Sequence, residues 1–126
     1  MTFDAGVTSA FVDEWQSNPT PVNPDFLAEV ERETGAVPLH VWKSVARALL
    51  TEDQRRFLGE IRAPTLILWG EKDAAFPVAC QERLQKALPH AIFKAYPEVG
   101  HNLHWEIPNQ VAADIEAFFR PTGTPR

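Results

Sequence analysis

The sequence predicts an α/β protein: a short parallel sheet with flanking helices, preceded by a helical segment. The first half contains only helix-like apolar patterns, whereas in the second half strand-like and helix-like segments alternate. A strand, a helix, a second strand and a second helix in that order are typical of parallel strands joined by a helical crossover. We therefore predict parallel strands near residues 64–69 and 91–96.

The composition is that of one small globular domain, and it disfavours several classes of partner. The chain has 126 residues, of which 44% are hydrophobic and 23% are charged. A net charge of −5 argues against a nucleic-acid partner, and no apolar run is long enough to span a membrane. No secretory leader follows Met1, and the single Cys80 excludes an internal disulfide, so we expect a cytoplasmic protein.

Helices and a loop account for the first half of the chain. Residues 8–17 are predicted to form a short helix, and the prolines of residues 18–24 predict a loop. Asn23 is expected to cap the next helix, and Gly35 is expected to end it. A further helix is predicted over residues 38–50, because its apolar residues recur on one face.

A short helix and a buried strand follow. Thr51 and Gln54 have the spacing of a capping box, which predicts a helix that ends at Leu58. Residues 64–69 are apolar throughout, which favours a strand covered on both faces. A helix is then predicted over 77–88, with an inner face formed by Cys80, Leu84, Ala87 and Leu88.

The end of the chain is predicted to contain the second strand and a final helix. Lys94 within residues 91–96 indicates a strand at the edge of the sheet. Residues 97–106 are predicted to form a loop, and residues 108–119 a helix. The side chains that this helix is expected to pack inward are Val111, Ile115, Phe118 and Phe119.

An acid and a histidine follow the two predicted strands. Asp73 comes after the first strand and His101 after the second, 28 residues later in the chain. Because ligands gather at the carboxyl ends of parallel strands, we expect the two side chains to meet at one edge of the sheet. An imidazole can accept a proton at neutral pH, and a carboxylate on its other nitrogen fixes its tautomer.

The segments PTLILWGEKDAAFP and YPEVGHNLHWEIPNQVAADIEAFF resemble the C-terminal part of the α/β-hydrolase superfamily. In that family the triad acid follows a strand in the pattern WGxxD, and the triad histidine lies in the pattern GHxxxxExP. The second pattern is carried here by Gly100, His101, Glu106 and Pro108. The resemblance implies that Asp73 is the triad acid and that His101 is the triad base, with no cofactor.

The resemblance also divides the chain. Residues 1–50 would be the remnant of a helical cap, or lid, over an apolar pocket. Residues 51–120 would be the C-terminal part of a partial α/β-hydrolase fold, and residues 121–126 a frayed tail. The side chains that could line the pocket are Trp105, Phe76 and Trp42.

The pattern that carries the family's nucleophile is absent from this sequence. A hydrolase nucleophile lies in a turn of the form G-x-nucleophile-x-G between a strand and a helix. None of the three serines, Ser9, Ser17 and Ser44, has glycines at those positions. We therefore expect the isolated chain to be inactive, and the substrate of a complete protein to be a small, largely apolar ester, lactone, epoxide or similar compound.

Two alternatives to this interpretation remain. The chain could be a non-catalytic module that binds a partner or dimerises through an exposed strand edge. We accordingly expect self-association or binding of a complementing N-terminal half, and no nucleic-acid or membrane partner. The spacing of His101, His104 and Glu106 also permits a metal site, but the segment is predicted to be a loop without a supporting cysteine, so no metal is expected.

Overall fold

The fold is known from a computed structural model that describes residues 18–120. The helices in this range are α1 (Pro24–Ala36), α2 (Leu39–Thr51), α3 (Arg55–Leu58), α4 (Val78–Ala87), α5 (Leu103–Glu106) and α6 (Pro108–Phe119), and the strands are β1 (Leu66–Gly70) and β2 (Ile92–Tyr96). The helix predicted over residues 8–17 and the tail at 121–126 lie outside the described residues. None of the described helices is long and apolar enough to cross a membrane.

The described residues form two compact units. We call residues 21–57 the helical unit, and residues 18–20 together with 58–120 the sheet unit. Each unit is described by itself.

In the helical unit, α1 begins as predicted but does not end as predicted. The Asn23 side chain accepts hydrogen bonds from two backbone N–H groups of the first turn, at 2.8 and 3.4 Å. The helix continues through Gly35, and Val37 is the first residue outside it. Val37 is extended because Pro38 disfavours a helical conformation at the residue before it.

The predicted capping box at Thr51 is wrong. Thr51 is the last residue of α2, and its hydroxyl donates a hydrogen bond to the Arg47 carbonyl at 2.8 Å. The next helix starts only at Arg55, whose backbone N–H donates to the Asp53 carboxylate at 3.0 Å. The Arg55 guanidinium also donates to this carboxylate and lowers the pKa of Asp53 to about 2. A threonine near a helix end bonds back to the preceding turn, which leaves the cap to the aspartate.

The sheet unit contains the predicted parallel strands, which confirms the fold class. Leu66 lies opposite Ile92, and the in-register pairing continues to Gly70 opposite Tyr96. The prediction that the first strand is covered on both faces is wrong, because the first three residues of β1 are only half-buried. The sheet formed by the described residues has two strands, and the faces of a parallel sheet are covered by helices and not by neighbouring strands.

The helix α4 has the predicted inner face with one unpredicted member. Cys80, Leu84 and Ala87 are half-buried, and Leu88 at the C-cap is buried. Gln81 is the buried residue of α4, with 8% of its surface exposed. A polar side chain at this depth needs a hydrogen-bond partner, which is described with the site below.

The prediction that α6 packs four apolar side chains inward is only partly right. Val111 is buried and Phe118 is half-buried, whereas Ile115 is 40% and Phe119 is 75% exposed. An amphipathic pattern shows which side chains share a face, but it does not show that a covering layer is present. The predicted loop at 97–106 also needs correction, because its last four residues form α5.

Asp114 of α6 connects this helix to β2. One of its carboxylate oxygens accepts a hydrogen bond from Lys94 Nζ and the other from the Tyr96 hydroxyl, each at 2.5 Å. The bonds from Lys94 and Tyr96 lower the pKa of Asp114 below its ordinary value. Burial, followed by the neighbouring carboxylate, raises the pKa of Tyr96. Lys94, which suggested a sheet edge, therefore also ties the strand to the last helix.

Replacing Asp114 by asparagine is expected to remove a pH-dependent part of the stability. Because the folded-state pKa of Asp114 is depressed, its contribution is present above the pKa of the unfolded chain, about 3.8, and is lost as the pH falls through the folded value. Thermal unfolding should show a lower melting temperature for Asp114→Asn at pH 7. This difference from the wild type should shrink as the pH falls below about 4, whereas a difference independent of pH would contradict the assignment.

Candidate active site

Asp73 is held rigidly in the turn that follows β1. Its backbone N–H donates to the Gly70 carbonyl at 3.0 Å. Its Oδ1 atom accepts hydrogen bonds from the backbone N–H groups of Ala75 and Phe76, at 2.8 and 2.9 Å. Only 9% of the residue's surface is exposed. These bonds fix one carboxylate oxygen and thereby the direction of the other.

His101 meets the remaining oxygen of Asp73. The distance between His101 Nδ1 and Asp73 Oδ2 is 3.0 Å, within the range expected for a hydrogen bond. The contact predicted from the order of the strands is therefore present. The His101 side chain is 40% exposed, whereas the Asp73 side chain is 7% exposed. A neutral imidazole that donates from Nδ1 to the carboxylate keeps its lone pair on Nε2, where it can accept a proton.

Backbone hydrogen bonds join the loops that follow the two strands. Glu71 N–H donates to the Tyr96 carbonyl at 3.0 Å, and Lys72 N–H donates to the Val99 carbonyl at 2.8 Å. The backbone bonding thus extends past both strands, up to the residue before the acid and to two residues before the histidine. The geometry of the pair consequently depends on the sheet as well as on the two side chains.

Gly70 is required where these loops approach each other. A Cβ atom at this position would lie 2.2 Å from the Gly100 carbonyl oxygen and 2.4 Å from the Val99 carbonyl oxygen. Both contacts involve backbone atoms, which cannot rotate away as a side chain can. The glycine of the WGxxD pattern therefore allows the histidine loop to cross directly over the end of β1.

Phe76 is the predicted pocket residue that the structure places next to the histidine. Its ring centroid lies 5.5 Å from that of His101, and 52% of the residue is exposed. Its carbonyl accepts hydrogen bonds from Trp69 Nε1 at 3.0 Å and from Gln81 Nε2 at 3.3 Å. Sequence reasoning missed these supporting roles: Trp69 belongs to the WGxxD pattern, but the pattern does not show which group its Nε1 atom contacts, and Gln81 belongs to no recognised pattern.

The other two predicted pocket residues are Trp105 and Trp42. Trp105 is half-buried on α5, and its ring packs against His104 at a centroid distance of 5.4 Å. Trp42 is half-buried on α2 in the helical unit. A substrate contact by either residue stays a prediction.

The side chains of the alternative metal site do not converge. His104 packs against Trp105, whereas the Glu106 carboxylate accepts hydrogen bonds from Gly100 and Thr20. No group of three or more histidine, cysteine or acidic side chains within residues 18–120 could hold a metal ion. The spacing in the sequence is therefore explained by the acid–histidine pair and by the contacts of Glu106.

Of the three serines, only Ser44 lies in the described part of the chain. It is on α2, and its hydroxyl donates to the His40 carbonyl at 2.8 Å. Ser9 and Ser17 lie outside the described residues. Ser44 is therefore on a helix and not in a turn between a strand and a helix, where a hydrolase nucleophile is expected.

Known proteins with similar sequences and structures are hydrolases. The family described as "alpha/beta hydrolase fold" matches residues 35–108. A 2-hydroxy-6-oxo-6-phenylhexa-2,4-dienoate hydrolase of Burkholderia cepacia is 32% identical over 84 residues, which are 67% of this chain and 26% of that protein. A 2-hydroxy-6-oxononadienedioate/2-hydroxy-6-oxononatrienedioate hydrolase of Paraburkholderia phymatum is 41% identical over 49 residues, which are 39% of this chain and 17% of that protein.

A solved structure shows the same arrangement of the chain. An α/β hydrolase enzyme from a Medee basin deep-sea metagenome library has a TM-score of 0.63 and 26% identity, and the match covers 81% of this chain and 36% of that one. This chain spans about a quarter of the length of the Burkholderia cepacia hydrolase.

Proposed function

Because this chain belongs to the α/β-hydrolase fold family, we propose that it is the acid- and histidine-bearing part of a cofactor-free hydrolase. In this proposal Asp73 is the acid and His101 is the general base. The nucleophile and the oxyanion hole are supplied by protein that does not belong to these 126 residues. The isolated chain is then inactive, because a base without a nucleophile has no group to activate.

The 3.0 Å contact between Asp73 and His101 carries this proposal. A chance contact between a surface histidine and an acid does not require an oriented carboxylate. Here the other carboxylate oxygen is already held by two backbone N–H groups. With its orientation fixed, the carboxylate stabilises the imidazolium that forms when Nε2 accepts a proton from the nucleophile. Phe76, which is exposed beside the imidazole, would form part of the substrate pocket.

The substrate class is proposed from the relatives and from the apolar surroundings. One relative is named a 2-hydroxy-6-oxo-6-phenylhexa-2,4-dienoate hydrolase, and two are named 2-hydroxy-6-oxononadienedioate/2-hydroxy-6-oxononatrienedioate hydrolases. We therefore place a small oxo acid of this kind first, and a small, largely apolar ester, lactone or epoxide second. The fold alone does not choose between these reactions, so a panel that contains both classes is required.

The isolated chain is expected to show no turnover of short p-nitrophenyl esters above that of His101→Ala. The reason is the missing nucleophile turn, not a defect in the acid–histidine pair. Esterase assays of the two purified proteins at equal concentration test this expectation. Turnover that is present in the wild type and lost in His101→Ala would show that Ser9, Ser17, Ser44 or Cys80 serves as the nucleophile.

The exposed strand edge favours a second candidate, a binding or dimerisation module. Within residues 18–120, β1 pairs with β2 on one side only. An open strand edge presents unpaired backbone donors and acceptors to another chain. The coding DNA upstream of the Met1 codon separates the candidates: an in-frame or frameshifted G-x-S-x-G segment favours the hydrolase part, and an intergenic region with its own promoter favours the module.

A further inference from the structure

A buried carboxylate, that of Glu106, lies beside the histidine loop without taking part in the acid–histidine pair. Only 8% of Glu106 is exposed. Its Oε1 atom accepts a hydrogen bond from the Gly100 N–H at 2.9 Å. Its Oε2 atom accepts one from the Thr20 N–H at 3.1 Å and another from the Thr20 hydroxyl. Burial of a carboxylate is costly unless such donors compensate it, so this group needs a specific explanation.

The bond from Gly100 acts on the peptide between Val99 and Gly100, one residue before His101. A Cβ atom on Gly100 would lie 2.8 Å from Glu106 Oε1 and 2.5 Å from Pro19 Cδ. Glu106 itself is held by its own N–H, which donates to the Asn102 carbonyl at 3.1 Å. The residues on both sides of His101 are therefore buried and fixed, while the imidazole remains partly exposed.

We propose that Glu106 is a positioning residue for His101: its carboxylate joins the loop that carries the histidine to the segment around Thr20. This inference rests on the proposed function, because it assigns Glu106 to the same acid–histidine pair. The carboxylate accepts charge-assisted hydrogen bonds with both oxygens and so prevents the Gly100 peptide from rotating. Without it, the direction of the His101 side chain relative to Asp73 Oδ2 is no longer fixed.

The hydrogen bonds of Glu106 explain why a glutamate is needed at this position and why a glutamine is not sufficient. All three partners of Glu106 donate, and a carboxylate can accept from each of them. A glutamine offers one carbonyl oxygen, and its NH₂ group would face an N–H donor at Gly100 or at Thr20. Glu106→Gln therefore keeps the shape of the side chain but loses the hydrogen bond from either the Gly100 N–H or the Thr20 N–H.

The test is the tautomer of His101 in the full 126-residue chain. A long-range ¹H–¹⁵N correlation spectrum at about pH 8, where imidazole is neutral, shows which ring nitrogen carries the proton. In the wild type we expect His101 to carry it on Nδ1, because Nδ1 donates to Asp73. In Glu106→Gln we expect loss of this preference for Nδ1. The resonances of the other histidines, which serve as an internal reference for folding, should not change; these are His40, His90 and His104.

Matched variants separate positioning from a general loss of charge or stability. Glu116→Gln makes the same chemical change at an exposed site of α6 and should leave the His101 spectrum unchanged. Thr20→Val removes the hydroxyl donor and should weaken the Nδ1 preference, whereas Thr20→Ser should retain it. If Glu106→Gln does not fold, the two Thr20 variants decide the question. Loss of the Nδ1 preference in Thr20→Val, together with its retention in Thr20→Ser, supports the proposal. Equal His101 spectra of the two variants overturn it.

The outcomes distinguish this inference from the function on which it rests. A folded Glu106→Gln chain with the wild-type His101 spectrum overturns the positioning role alone and leaves the acid–histidine pair intact. A wild-type chain in which His101 shows no preference for Nδ1 overturns the proposed function and, with it, the role of Glu106.

Discussion

Replacement of Gly70 by alanine is expected to destabilise the chain by about 3 kcal/mol and to separate the acid from the histidine. The added methyl group would overlap two carbonyl oxygens of the histidine loop, at 2.2 and 2.4 Å. Because these are backbone atoms, the loop must move away from the end of β1. Movement of the loop would lengthen the 3.0 Å contact between His101 and Asp73. Chemical denaturation measures the stability, and the His101 spectrum reports the contact.

Gly59→Ala is the matched control for this substitution. A Cβ atom at Gly59 has no other atom within 4 Å, so this variant should differ from the wild type by less than about 1 kcal/mol. Equal stabilities of the Gly70 and Gly59 variants, with an unchanged His101 spectrum, would contradict the close approach of the two loops.

Self-association of the purified chain is the second large effect that we expect. The Thr65 carbonyl and the Glu71 N–H form hydrogen bonds with β2. Because successive residues of a parallel strand direct their backbone groups to opposite edges, the N–H and C=O groups of Leu66 and Leu68 are directed towards the other edge of β1. Within residues 18–120 no strand pairs with that edge. Sedimentation at micromolar concentration should therefore show a dimer or larger species and not a 14.2 kDa monomer.

Leu68→Pro tests whether this edge is responsible. Proline removes the outward N–H donor, while the bonds to β2 come from the residues on either side of it. We expect Leu68→Pro to be monomeric, and Leu68→Ala, which loses the side chain but keeps the N–H group, to associate like the wild type. A monodisperse wild-type monomer with a cooperative melt would show that the edge is already satisfied.

The order of the elements and the acid–histidine contact were predictable from the sequence. Residues 64–69 and 91–96 have strand patterns, and the helices between and after them have a period of 3.6 residues. In a parallel sheet, chain order alone brings the ends of neighbouring strands to one edge. Asp73 and His101 could therefore be paired although 28 residues separate them.

The contacts that hold this pair in place were not predictable. Glu106 contacts Thr20 across 86 residues of sequence, and no periodic pattern encodes a contact of that range. The burial of Gln81 also gives no signal, because a polar residue on a helix is normally exposed. The short helix α5 spans four residues, which is too few for a helical period to be recognised. These features depend on tertiary packing, which the local pattern does not contain.

That Asp73 and His101 act as acid and base is tested most directly by the turnover of a chimera. In it, residues 18–120 of this chain replace the matching segment of the Burkholderia cepacia relative, and the substrate is 2-hydroxy-6-oxo-6-phenylhexa-2,4-dienoate. We predict turnover by the chimera and a kcat about 10⁴-fold lower for Asp73→Asn. Asp53→Asn, at an exposed helix cap, should retain the parent rate. An active chimera in which Asp73→Asn lowers kcat by less than about threefold would contradict the assignment.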